Sequence, residues 1–119
     1  MKTKIINTIR QWTPEAADPI AKIEHEEDTV ANDLILNRLV DICLQKIYSG
    51  SVTEMERVQE IAKVVNLLYQ EGNQYTRNAI ENEFLTALSF EESPGSLKKH
   101  LELFPVELRK GYIKTILEN

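Results

Sequence analysis

The chain is poorest in the residues that carry covalent and metal chemistry. It has one cysteine, Cys43, and two histidines, His25 and His100, in 119 residues. A lone cysteine cannot close a disulfide within the chain, which suits a reducing compartment. Cys43 lies in an apolar run from Leu39 to Tyr48, where a thiol is usually buried and inert, so a cysteine–histidine nucleophile is not expected. Neither histidine has a second one three or four residues away, the spacing at which a helix presents a metal-binding pair. The four glycines stand singly at positions 50, 72, 95 and 111, which excludes a glycine-rich phosphate loop. With only four prolines besides, the chain is too poor in loop formers for a linker or a disordered segment.

Positive charge is also short. Fourteen lysines and arginines stand against nineteen acids, a net charge of −5, and this balance opposes attraction to a phosphate backbone, so no nucleic-acid partner is expected. No stretch approaches the ~18 apolar residues that cross a bilayer. Met1 to Arg10 begins with lysines but lacks the unbroken apolar core of an export signal. The expectation is a mature cytoplasmic protein without a membrane partner.

The sequence is rich in helical periodicity. Met55, Val58, Ile61, Ala62, Val65, Leu68 and Tyr69 recur in steps of three or four, and Ile80, Phe84, Ala87 and Leu88 continue the stripe beyond Gly72-Asn73. Two antiparallel helices between Val52 and Phe90 are predicted, with Gly72 closing the first in a left-handed conformation and Asn73 capping the second. A wide apolar face (Leu34, Ile35, Leu39, Ile42, Cys43, Ile47, Tyr48, broadened by Leu36, Val40 and Leu44) predicts a central helix from about Val30 to Tyr48, capped by Asp28 or Thr29 and ended by Ser49-Gly50. Ser51-Val52-Thr53-Glu54 reads as a capping box.

A first helix from about Lys2 to Trp12 would bury Ile5, Ile6, Ile9 and Trp12. Thr13-Pro14 and Asp18-Pro19 break the segment that follows, since an interior proline costs on the order of 3 kcal/mol. Ser96 would cap a helix carrying Leu97, Leu101 and Phe104, and Pro105 would start another carrying Leu108, Tyr112, Ile116 and Leu117. The fold class is therefore all-α: one domain over residues 1–119, about five to seven helices stacked as antiparallel hairpins in a bundle or HEAT-like array.

One polar segment stands out. Glu24, His25, Glu26, Glu27 and Asp28, with Asp33 beyond, form the most acidic stretch, and a loop is expected to interrupt the helix between Ile23 and Thr29. The spacing matches no metal motif. Glu81 and Glu83, two apart, cannot share a helix face and make no acid–base dyad. No catalytic, cofactor-binding or metal-binding set emerges, so the expectation is a protein without enzymatic activity, cofactor or metal. If another protein is bound, Glu24, Glu26, Glu27, Asp28 and Asp33 are the candidate contact residues.

The run Asn78-Ala79-Ile80-Glu81-Asn82-Glu83-Phe84-Leu85-Thr86-Ala87-Leu88, with Leu103-Phe104-Pro105-Val106-Glu107-Leu108-Arg109-Lys110-Gly111-Tyr112, resembles a group of small all-helical bacterial domains of unknown function. Some members of that group look like immunity proteins of polymorphic toxin systems. The resemblance covers about the carboxy-terminal half. It implies a helical-repeat-like domain that binds another protein, such as a cognate toxin that it inhibits. The alternative is a structural scaffold or adaptor, or a self-associating protein that uses the face around Ile5, Ile9 and Trp12.

Overall fold

The computed structural model describes residues 4–93 and 95–118. The start of the expected first helix, at Lys2, lies outside them. Among the described residues there is no strand, and the chain is built of helices joined by short turns. In order these are α1 (Lys4–Trp12), a 3₁₀ turn (Pro14–Ala16), α2 (Ala17–Ile23), α3 (Asp28–Ser49), α4 (Val52–Glu71), α5 (Gln74–Ala79), a π-helical segment (Ile80–Leu85), α6 (Thr86–Ser89), α7 (Ser96–Leu103) and α8 (Val106–Glu118). Helix α5, the π segment and α6 follow one another without a break, and of these it is α5 that packs against α4 beside the turn at Gly72-Asn73.

Helix α3 is central, packed against α4 and the π segment and flanked by α1 and α2. Its buried face comprises Ile35, Leu36, Leu39, Val40, Cys43, Leu44 and Ile47, whereas Leu34 and Tyr48 are exposed. The face is therefore rotated from the expected one toward Leu36 and Val40, because neighbours cover α3 on two sides and leave Leu34 at the edge. Asn32 is also wholly buried on this helix, with its Nδ2 donating to the Tyr75 hydroxyl at 3.2 Å.

The turns follow local chemistry, with three corrections. Gly50 ends α3 with φ +72°, the left-handed geometry that favours glycine. Gly72 instead is extended, with φ −80° and ψ 159°. What requires glycine there is space: a Cβ would lie 2.5 Å from the Leu68 carbonyl oxygen and 2.6 Å from Thr76 Cγ2. Asn73 does cap the second helix, its Oδ1 accepting from the Thr76 amide at 3.0 Å. The residue before α3 is Glu27, without a side-chain cap, and Asp28 and Thr29 stand inside the first turn. Ser96 is likewise inside α7, behind Gly95 at φ +89°. Its hydroxyl turns back to Glu92 and Ser93.

The capping box at Ser51 is half formed. Ser51 Oγ accepts from the Glu54 amide at 3.4 Å, but the Glu54 carboxylate goes to Lys46 Nζ at 2.9 Å. That lysine belongs to a cluster joining three segments. Glu15 accepts from Arg57 Nε at 2.7 Å and Nη2 at 2.8 Å, and Lys46 stands 3.7 Å away. The bidentate Arg57 hydrogen bonds outweigh the cost of burial and hold the Glu15 carboxyl at about 2, against an ordinary 4.5. A carboxylate depressed in the folded state stabilises it fully above the ordinary value and loses that contribution as pH falls through the folded one. Arg57→Leu should therefore shift the acid-unfolding midpoint upward between pH 4.5 and 2. Circular dichroism during acid titration checks this, and an unmoved midpoint would show the pair to be inert.

Trp12 is the largest departure near the start. Ile5, Ile6 and Ile9 are buried as expected, but Trp12 is 59% exposed. It is the last residue of α1, and there the helix has passed the edge of the core. The indole lies in a groove with Val64 and Leu67 on the outer side of α4. Near the other end, Leu97 and Leu117 are exposed and Val30 is also at the surface. The face of α7 is centred instead on His100, and that of α8 on Leu108, Gly111, Tyr112 and Thr115.

Candidate functional site

The break between α2 and α3 falls where it was expected and gathers most of the acidic segment. Glu24 ends α2 and pairs with Arg10 Nη2 at 2.5 Å. Glu26 lies 3.3 Å from His25 Nε2. Glu27 precedes α3 and is exposed, with its carbonyl accepting from the Ala31 amide at 2.8 Å. Asp28 opens α3, where the helix dipole favours a negative charge. This part of the acidic surface is thus partly engaged by the chain's own groups.

Asp33 does not join that loop. It lies a turn and a half further along α3 and lines a cleft of about 270 Å³ with Tyr75, Asn78, Asn82 and Glu83. Glu83 accepts from Asn37 Nδ2 at 2.6 Å, which fixes its carboxylate beside α3. Burial, and then the charge of Glu83, push the Asp33 carboxyl above its ordinary value. The cleft combines two carboxylates with two amides and a phenol, groups that accept hydrogen bonds from an ammonium or guanidinium.

Sequence reasoning missed Glu83, Tyr75, Asn78 and Asn82 as companions of Asp33. A signal was present: Gln74, Asn78 and Asn82 form an amide stripe in steps of four along α5 and the π segment. Glu81 and Glu83 diverge as their spacing requires. Glu81 accepts from the Tyr69 hydroxyl at 2.6 Å, facing α4 and α8, while Glu83 faces α3.

A second polar cluster also escaped the sequence. Glu92 accepts from the Tyr112 hydroxyl and from His100 Nδ1, the latter at 2.5 Å, and its other oxygen lies 2.6 Å from Ser96 Oγ. Burial pushes the Glu92 carboxyl up, but the bonds from Ser96, Tyr112 and His100 prevail and hold it below its ordinary value. The Tyr112 hydroxyl is pushed well up by burial and by its bond to Glu92. His100 is only 2% exposed. These groups face one another and tie the loop after α6 to α7 and α8, a structural arrangement.

Cys43 is buried, and desolvation, followed by the charge of Glu15, pushes its thiol up to about 12. A thiol in that state is not a nucleophile near neutral pH. Among the described residues no group of three or more histidine, cysteine or acidic side chains is placed to hold a metal ion, and no helix is long and apolar enough to cross a membrane.

Fold and surface together define an all-helical domain with an acidic edge running along the start of α3. The chain belongs to the family described as Domain of unknown function (DUF7674), whose model matches residues 6–118. No curated protein and no solved structure matches the chain.

Proposed function

We propose that this chain is a non-catalytic protein-binding domain whose acidic edge receives a basic surface, and that its partner is a cognate bacterial toxin held inactive in the manner of an immunity protein. The observation carrying the binding reading is the Asp33–Glu83 cleft. Both causes that shift Asp33 raise its carboxyl, and neither comes from a cation. Two carboxylates side by side repel each other, and an incoming lysine or arginine relieves that repulsion. The net charge of −5 and the exposed Glu27 add a field that would steer a basic partner. The toxin reading rests on the family resemblance and suits a nuclease, whose phosphate-binding groups carboxylates can occupy.

Asp33→Asn separates stability from binding. An aspartate raised in the folded state costs stability fully above its folded value, and that cost disappears below its ordinary value. The variant should thus melt higher near pH 7, with the gain vanishing as the solution becomes acidic. It should also weaken the partner, and charge reversal at Glu26, Glu27 and Asp28 should slow association and flatten its salt dependence. Unchanged affinity and salt slope in both variants would remove the acidic edge from the account.

The exposed Trp12 favours a second reading, self-association through its groove with Val64 and Leu67. Tryptophan is a frequent interface anchor. Sedimentation of the free protein decides: a dimer that Trp12→Ala converts to a folded monomer favours this reading, and a wild-type monomer rejects it.

A further inference from the structure

A second surface is independent of the acidic edge. Helices α2 and α3 border a trough of about 500 Å³ whose apolar lining is Pro19, Ile23, Leu34, Ile35 and Ile42. Ile35 is buried, Ile23 and Ile42 are partly covered, and Leu34 is 44% exposed. The α3 side runs from Leu34 to Ile42, roughly 12 Å at 1.5 Å per residue, or two turns of a facing helix. Helices dock in such grooves through aliphatic side chains one turn apart.

The charges on its lips select the occupant. Lys22 on α2 and Arg38 on α3 line the trough, with Glu15 and Asp18 toward the start of α2. Glu15 is already engaged by Arg57 and Lys46, so its charge is compensated. Among the described residues Arg38 has an exposed pairing with Asp41 at 3.6 Å, and such pairs contribute little. Two available cations therefore face the single charge of Asp18, a surplus that an acidic side chain on the occupant would meet.

We infer that the α2–α3 trough docks an amphipathic helix of a partner protein, carrying two aliphatic side chains a turn apart and an acid that reaches Lys22 and Arg38. This inference rests on the reading of the chain as a protein-binding domain but uses a different face. The sequence alone concealed it, because Leu34 and Ile42 read there as core.

Two synthetic helical peptides test it, each with leucines one turn apart, one flanked by glutamates and the other by lysines. Titrated into the isotopically labelled full chain, the acidic peptide should shift the amide resonances of Leu34, Ile35, Arg38 and Ile42 and bind more weakly as salt rises. Lys22→Glu with Arg38→Glu should weaken it at least about tenfold and reverse the preference toward the basic peptide. Leu34→Asp should abolish binding of both, and since all three substituted side chains are exposed, melting temperatures should confirm that the variants fold. The inference is overturned if these resonances do not move at millimolar acidic peptide, if the basic peptide binds wild type equally well, or if the double variant binds unchanged. Asp33→Asn should leave peptide binding intact. A peptide that fails while an Asp33-dependent partner is retained sinks the trough alone and leaves the acidic edge standing.

Discussion

Glu92→Ala is expected to destabilise the domain by about 2–3 kcal/mol, the cost of leaving buried polar groups without their partner. Its carboxylate is the common acceptor for Tyr112 and His100, both almost wholly buried, and it also meets Ser96. Alanine would leave the phenol and the imidazole without their acceptor in a site that water barely reaches, and would free the loop after α6 from α7 and α8. Glu92→Gln keeps one oxygen for Tyr112 while losing the charge, and should cost roughly 1–2 kcal/mol. The sign of the pH dependence provides a further check. The Glu92 carboxyl is depressed in the folded state, so its contribution is present above the ordinary carboxylate range and is lost as pH falls through the folded value. Wild type and Glu92→Gln should therefore converge in stability in acid. Urea unfolding across pH measures this, and parallel curves that never converge would show that the charge contributes nothing.

Phe84→Ala is expected to cost about 3–5 kcal/mol, because a fully buried phenylalanine loses its transfer free energy and leaves a cavity. Phe84 is 1% exposed and occupies the π segment, which packs against α3 and α8. Its ring lies 6.5 Å from Phe104, which meets Tyr112 edge-on at 5.5 Å. The substitution would thus open the core where the π segment meets α3 and α8. In a protein with a total stability of about 5–15 kcal/mol, that is a large fraction. The midpoint of urea unfolding should fall sharply with little change in slope. A nearly unchanged midpoint would mean that the surroundings collapse to fill the space, which the packing of three aromatic rings opposes.

The helices were legible because their apolar steps survive as buried faces in α4, the π segment and much of α3. Leu68 and Phe84 are core as their spacing implied. Edges were harder. Leu34, Trp12 and Leu117 match the periodicity of their helices yet are exposed, and periodicity carries no information about where cover stops. The π turn was also invisible, since it depends on the hydrogen bond of the Thr86 amide to the Glu81 carbonyl and not on residue type. At the candidate site, the acidic loop could be read from composition. The pairing of Asp33 with Glu83 could not, because it joins residues fifty positions apart across two helices. The same holds for Glu92, His100 and Tyr112, which stand on a loop and two separate helices and whose spacing gives no sign that they converge.

The most direct measurement immobilises the full chain and its Asp33→Asn variant and exposes both to an extract of the native cell at low and at high salt. The expected result is a basic protein retained by wild type at low salt, released as salt rises, and lost or much reduced on the variant. Identical sets of retained proteins on wild type and variant, with no dependence on salt, would contradict the acidic edge as the binding face.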